Sequence, residues 1–261
     1  MREYGIFPKK RLGQNFMVDE HFLELVCSYA AIEPSDIILE IGAGLGFLTR
    51  FLAQKSGRVI AFEVDGRLAE VLKRELADFS NIKLVEGDVL KAPTPPFSKV
   101  VSNPPFFISS PLLFWLLNKP FNYAVLTFQS EFARRLDAPI GSKNYGRLTV
   151  STYYRAEAEL LDLVPKEAFY PSPDVDAVIV RLKPKKPPFK VKGEKAFEEV
   201  VRILFTQRKR KVRKAILPLL HKHGLKGTEA ARKADQLPFH DKRVRELAPE
   251  DFGALANEVS G

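Results

Sequence analysis

"IILEIGAGLGF", residues Ile37–Phe47, is the stretch that decides how the chain is read. Apart from Glu40, Ile37 to Gly42 is an unbroken apolar run, short enough for a strand buried on both faces under helices. Gly42, Gly44 and Gly46 follow at once; glycine lets the backbone turn tightly and approach a ligand more closely than a Cβ would permit. From Gly46 to about Lys55 the pattern is helical. The same alternation continues outward. "RVIAFEVD" (Arg58–Asp65), "IKLVEGD" (Ile82–Asp88), "KVVSN" (Lys99–Asn103) and "YAVLTFQ" (Tyr123–Gln129) read as further strands. Helices are expected over Gly66–Ala77, where Leu68, Val71, Leu72 and Leu76 share one face, and over Ser110–Leu117. "AELLDLV" (Ala158–Val164) and "DAVIVRLK" (Asp176–Lys183) look like a closing hairpin pair. Strands alternating with helices predict an α/β domain built on a parallel sheet.

At 45% hydrophobic and 28% charged over 261 residues, the chain has the composition of a packed globular protein. No apolar run approaches the roughly 18 residues that span a bilayer, and "MREYGIFPKKRLGQNF" has no apolar core of a secretory signal. Cys27 is the sole cysteine, which excludes an intramolecular disulfide and any metal site built from several cysteines. His221 and His223, at i and i+2 on an expected helix, point different ways and read as surface residues. The expectation is a cytoplasmic, metal-free protein.

The net charge of +9 is uneven. Arg181–Gly261 holds 21 Lys and Arg against 10 Asp and Glu, whereas the first 180 residues hold 20 against 22. A basic final third points to a polyanion such as nucleic acid, or equally to a solvated helical surface. "KPKKPPFKVKG" (Lys183–Gly193) reads as a linker, and only helical periodicity follows it. Two domains are therefore expected, a catalytic one over 1–185 and a basic helical one over 190–261.

The glycine spacing separates ligand classes. A dinucleotide fold has G-x-G-x-x-G with a pyrophosphate at the helix start. Here the third glycine comes one residue early and Glu40 stands just before the loop, which disfavours a pyrophosphate and suits a cation. The pattern resembles the first motif of class I S-adenosylmethionine (SAM) methyltransferases, whose cofactor carries a sulfonium and an ammonium. That resemblance implies a Rossmann-like fold. Glu63, near the end of the second strand, suits ribose hydroxyls, and Asp88, ending the third, suits the adenine amino group. Either acid also suits a helix cap or a turn.

"VVSNPPFF" (Val100–Phe107) ends the fourth strand on the same rim. Proline cannot donate to a ladder, so the strand stops near Asn103 in a stiff turn. The lone pair of an exocyclic amine is delocalised into its ring. Two acceptors aimed at its hydrogens, the Asn103 amide oxygen and the Pro104 carbonyl, would localise that pair for attack on a methyl group. Phe106 offers a face for the base, a contact worth roughly 1–3 kcal/mol in single-strand binders.

"GQNF" (Gly13–Phe16), "EIGAGLG", "NPPF", "QSEFARRL" (Gln129–Leu136), "NYGRLTV" (Asn144–Val150), "FYPSPDVDAVIVRL" (Phe169–Leu182) and "FTQRKRKVRKAI" (Phe205–Ile216) occur in this order. With "RELAPEDFGALAN" (Arg245–Asn257) near the end, they resemble the KsgA-type small-subunit rRNA adenine N6,N6-dimethyltransferases over Lys9 to about Asn257. The resemblance implies SAM contacts at Asn15, Met17, Gly42, Gly44, Glu63, Asp88 and Asn103. Asn103 would also hold the target N6 beside Pro104, with Phe106 stacking on the adenine. Phe169 would be a second aromatic closing on the base, or, like Phe16, a core residue. It further implies dimethylation of two adjacent adenines near the 3′ end of small-subunit rRNA in a pre-ribosomal particle. The family has Leu or Ile where Pro105 stands and Tyr where Phe106 stands; N-P-P followed by an aromatic is also similar to the turn of DNA adenine methyltransferases. "RILFTQRKRKVRK" (Arg202–Lys214) has seven basic residues in thirteen. It supplies Arg208, Lys209, Arg210, Lys211, Arg213 and Lys214 as RNA contacts, which "KKR" (Lys9–Arg11) would extend. The rival readings are an Erm-type large-subunit rRNA methyltransferase and a non-catalytic assembly factor.

Overall fold

The computed structural model describes residues 7–9 and 12–259. The chain divides into two units, one made of Met1–Ala133 with Ala158–Pro184 and the other of Arg134–Glu157 with Lys185–Gly261.

The first unit is the predicted α/β domain. In chain order it contains β1 (Phe16–Met17), α1 (Glu20–Tyr29), β2 (Ile37–Ile41), α2 (Phe47–Lys55), β3 (Arg58–Glu63), α3 (Gly66–Glu75), β4 (Ile82–Glu86), β5 (Lys99–Ser102), α4 (Ser109–Leu116), β6 (Tyr123–Gln129) and α5 (Ser130–Ala133). After α6 (Arg147–Arg155) of the second unit come β7 (Ala156–Val164), β8 (Phe169–Tyr170) and β9 (Ala177–Pro184). Seven strands form one sheet in the order β4-β3-β2-β5-β6-β9-β7. The β2–β3, β3–β4, β2–β5 and β5–β6 pairs are parallel, and β9 runs antiparallel to β6. Ile38, Leu39, Ile41 and Val59 to Phe62 are buried because helices cover these strands, which is why they read as apolar runs without alternation. Asp19 and Asp65 cap α1 and α3 by accepting from the backbone N–H groups of His21 and Arg67.

The strand order reverses between β2 and β5, and open α/β sheets bind ligands at the carboxyl ends of strands at such a switch point. The β2–β5 ladder pairs only Ile38 with Lys99 and Leu39 with Val100. Beyond it, the Ser102 hydroxyl donates to the Ile41 carbonyl (2.6 Å) and accepts from its N–H (3.2 Å), satisfying the backbone where the strands part.

The second unit is helical: α6, α7 (Glu194–Phe205), α8 (Val212–Ala215), α9 (Leu217–Lys222), α10 (Gly227–Gln236) and α11 (Pro249–Val259). Its core includes Tyr145, Tyr154, Phe197, Leu204, Ile216 and Phe252. Two sequence expectations change here. The catalytic domain is not continuous over 1–185, because residues 134–157 belong to the helical unit; the Tyr145 hydroxyl donates to the Leu247 carbonyl (2.7 Å), and Arg155 pairs with Glu194 and Glu198. Nor is Lys183–Gly193 a free linker throughout. Phe189 packs on Tyr154 and Phe197 and occupies the space that a Cβ at Gly253 would fill, and Asn257 bonds the backbone of Lys190 and Lys192. No helix among the described residues is long and apolar enough to cross a membrane.

Candidate active site

The turn after β2 needs glycine twice over. Gly42 and Gly44 have φ of +77° and +63°, which L side chains rarely adopt. A Cβ at Gly42 would lie 2.9 Å from the Pro105 ring, and one at Gly44 2.8 Å from the Phe16 ring. Four of the turn's N–H groups are bonded internally. Gly42 and Ala43 donate to the Phe62 carbonyl (2.8 and 3.0 Å), Gly44 to Glu63 Oε2 (2.8 Å) and Gly46 to the Ala43 carbonyl (2.9 Å). A pyrophosphate loop offers such donors to its ligand; this one withholds them, in line with the reading from glycine spacing.

A narrow cleft opens here, lined by Asn15, Phe16, Met17, Glu40, Gly42, Gly44, Glu63, Asn103 and Pro105 among others. Glu63 is buried, and its second oxygen accepts from the Asp65 N–H (2.8 Å). Burial raises its carboxyl above the ordinary range, opposed by the Asp65 and Gly44 amides. Glu40 is only 2% exposed, and its Oε2 has no hydrogen-bond partner. Burial lifts that carboxyl to about 8, and the charge of Glu63 adds to the rise. Two buried acids beside this turn form a site for a cation.

Asp88 is not part of the cleft lining. One of its oxygens accepts from the Leu90 N–H (3.0 Å) and the other pairs with Lys91 at 3.5 Å, so it caps the turn after β4. Of the two roles open to an acid at that strand end, the structure displays the cap.

Beyond β5, Asn103 lines the cleft, and its Oδ1 is buried with no hydrogen-bond partner among the described residues. An orphaned buried acceptor costs about 1–3 kcal/mol, so a structure that keeps one points to a donor arriving from outside. The Pro105 carbonyl accepts from Ile108 (3.1 Å), whereas the Pro104 carbonyl accepts no hydrogen bond among the described residues. Phe106 lies on a second cavity of about 620 Å³ that shares Gly13, Gln14 and Asn15 with the first.

Of the two roles open to Phe169, the structure displays core packing. It is 3% exposed, belongs to the core and meets the Phe106 ring edge-on (5.9 Å, 68°), so it backs Phe106 and does not line the cavity. The lining ring is the next residue, Tyr170. Successive side chains on a strand point to opposite faces, and that alternation in "AFYP" was the signal that sequence reading missed.

The wall shared by both cavities is the "GQN" strap. β1 pairs antiparallel with β8, and the Val18 N–H donates to the Ala168 carbonyl (2.9 Å). Gln14 donates to Asp65 (3.2 Å) and accepts from the Lys9 N–H (2.7 Å), while the Lys9 ammonium also reaches Asp65. Arg67 and then Lys9 and Gln14 hold the Asp65 carboxyl far below the usual range. Sequence reading assigned Asp65 no function, and only its position at the end of β3 marked it. Lys10 and Arg11 lie outside the described residues. The cleft measures about 50 Å³, well below the roughly 300–1,000 Å³ of a ligand site. The Phe16 ring lies against Gly44 at this cleft.

The six basic candidates of the helical unit divide. Arg208 donates to the Ser142 and Lys143 carbonyls (both 2.8 Å), while Lys211 and Arg213 pair with Asp241, and Arg213 also with Asp235. Lys209, Arg210 and Lys214 have no ion pair among the described residues, and all three are exposed.

The model of the family "Ribosomal RNA adenine dimethylase" matches residues 8–254. A protein of Methanosarcina acetivorans named "Probable ribosomal RNA small subunit methyltransferase A" is 44% identical over 94% of this chain and 91% of its own length. One of the same name from Methanopyrus kandleri is 43% identical over 98% and 94%. Among solved structures, a dimethyladenosine transferase of Plasmodium falciparum has TM-score 0.79 at 31% identity, covering 92% of this chain and 95% of its own. The 23S rRNA methyltransferase ErmE has TM-score 0.67 at 29%, covering 95% and 100%. The buried acids, the self-bonded glycine turn and the unpartnered amide thus stand in a chain that belongs to the ribosomal RNA adenine dimethylase family, a family of SAM-dependent methyltransferases.

Proposed function

We propose that this chain dimethylates N6 of two adjacent adenines in an unpaired loop near the 3′ end of small-subunit rRNA, in a cytoplasmic pre-ribosomal particle. The observation that carries the chemistry is the buried Asn103 Oδ1 of the cleft lining, next to the Pro104 carbonyl, both without a hydrogen-bond partner among the described residues. The small-subunit target is favoured over a large-subunit one by the relatives at 44% and 43% identity, against 29% for ErmE.

The site fits SAM by chemistry. Glu40 and Glu63 complement its positive charge, Gly42 and Gly44 allow close approach, and Asn15 and Met17 complete the lining. When bound, SAM supplies an electrophilic methyl group on a sulfonium. The residues position the other reactant. Asn103 and Pro104 would accept the two N6 hydrogens and localise the nitrogen lone pair toward the methyl group that bound SAM would supply, and the N6 proton would pass afterwards to solvent. One acceptor suffices for the second methyl, since one hydrogen then remains. Phe106, backed by Phe169, holds the base by its face. This is electrostatic preorganisation without a strong base. Lys209, Arg210 and Lys214 supply salt-dependent phosphate contacts, and Arg208, Lys211 and Arg213 brace them.

Labelled SAM is incubated with unmethylated small subunits, large subunits and DNA, followed by nucleoside analysis. Dimethyladenosine is expected from small subunits. Asn103→Ala should lose on the order of 10²–10³ in rate while retaining SAM; near-normal turnover refutes the positioning role, and product from large subunits alone refutes the target.

A further inference from the structure

The second cavity is larger than one flat base needs, since about 620 Å³ lies within the range of sites that hold whole drug-sized ligands. Two large aromatic rings stand at it with most of their surface in water: Phe107 is 59% exposed and Tyr170 54%. The Phe107 ring is packed and the Tyr170 backbone is paired. The Phe107 ring lies against Gly13, where a Cβ would come within 2.8 Å of it, and Gly13 has φ of +55°, so that contact requires glycine. Tyr170 sits opposite Phe16 in the β1–β8 ladder. Rings fixed in advance lose little freedom when a planar partner stacks on them. Among the described residues the lining contains no lysine or arginine and its single charged residue is Asp174, so these residues suit an uncharged planar group rather than a phosphate. Gln129 adds a side-chain amide with no hydrogen bond of its own among the described residues, one donor and one acceptor for a base edge.

Resting on the reading that Phe106 takes the target adenine, we propose that Phe107 and Tyr170 form a second stacking site for the base next to that adenine, with Gln129 contacting its edge. The site is continuous with the first, because Phe106 and Phe107 are consecutive and line the same cavity. A strand entering here would present two neighbouring bases at once, one to the methyl group and one to this platform.

The probe is a single-stranded RNA hexamer with one adenine and 2-aminopurine beside it, on the 5′ side in one oligonucleotide and on the 3′ side in another, titrated with protein and S-adenosylhomocysteine. Wild type should quench one isomer at saturation more than the other. Phe107→Ala and Tyr170→Ala should each weaken that affinity between roughly 5- and 150-fold, and Phe107→Tyr and Tyr170→Phe should restore it. Thermal melting of the alanine variants should match wild type, which separates lost stacking from misfolding. Quenching unchanged by both alanine variants, or none in wild type, overturns the proposal. Asn103→Ala is the separate arm: it should retain quenching while losing transfer, and if it retains both, the mechanism at Asn103 fails and the platform stands.

Discussion

SAM affinity should rise with pH below neutrality, and Glu40 should be the reason. Its carboxyl is 2% exposed with one oxygen unpartnered, and burial, then the charge of Glu63, moves it from the ordinary 4.5 to about 8. Between those values the folded protein keeps a proton that the unfolded chain releases. This group's stabilising contribution is therefore fully present below about pH 4.5 and is lost as pH rises through about 8. The limiting slope of one proton is about 1.36 kcal/mol per pH unit. A cation bound beside Glu40 favours the carboxylate, so binding expels that proton and affinity gains at most about tenfold per pH unit. Calorimetric titration at pH 5.5 and 7.0 stays below the range, about 7.7–8.0, where the cofactor's own amine titrates. The expected gain is up to about 30-fold, with close to one proton released, read from two buffers of different ionisation heat. Glu40→Gln should bind with little pH dependence, and its melting temperature without ligand should lose the decline between pH 5 and 8. A wild-type affinity that changes less than twofold with no proton release refutes the reasoning.

Gly42→Ala places a Cβ 2.9 Å from Pro105 at φ of +77°, whereas Gly141→Ala, at φ of +81°, meets nothing within 4 Å. Both should carry the backbone strain of about 1–2 kcal/mol, but only the first should lower kcat/KM, by tenfold or more, because the displaced turn holds Asn103; equal kinetics would show that turn and loop are independent. Neutralising Lys209, Arg210 and Lys214 should lower the salt slope of subunit binding by about 1 per residue in filter binding. Lys211→Ala and Arg213→Ala should change it less, because each already faces Asp241. Phe189→Ala should destabilise the helical unit by about 1–3 kcal/mol in urea melts, since Phe189 fills the space over Gly253 and meets Tyr154 and Phe197.

The sheet was legible because strands buried on both faces are apolar runs and helices are periodic, two local signals that survive without tertiary information. The site was legible where chemistry and local geometry coincide, at Gly42, Gly44, Glu63 and Asn103, each within a few residues of a strand end. It was not legible where choice depends on partners. Asp88 has a turn N–H and Lys91 to satisfy it, and nothing in "EGDVL" separates that from a ligand contact. Phe169 and Tyr170 differ only in which face of a two-residue strand each occupies, and pairing with Phe16–Met17, some 150 residues earlier, decides that. Residues 134–157 read as an appendix of the α/β domain because sequence order says nothing of which core receives Tyr145 and Tyr154.

The end of β3 explains how two cavities come to share a wall. Glu63 binds the glycine turn through the Gly44 amide, and two residues later Asp65 holds Gln14 and Lys9 of the strap. Phe16 of the same strap lies on Gly44, Gly13 lies under Phe107, and Gly42 touches Pro105. Each of these contacts is too close for a Cβ, so the glycine turn, the strap and the Asn103 turn cannot shift independently without opening a gap or a clash. A displacement of Phe16 would therefore displace a wall of the second cavity. A ligand in the first cavity that shifts the strap would alter the affinity of the second, and by linkage the reverse would hold with the same factor.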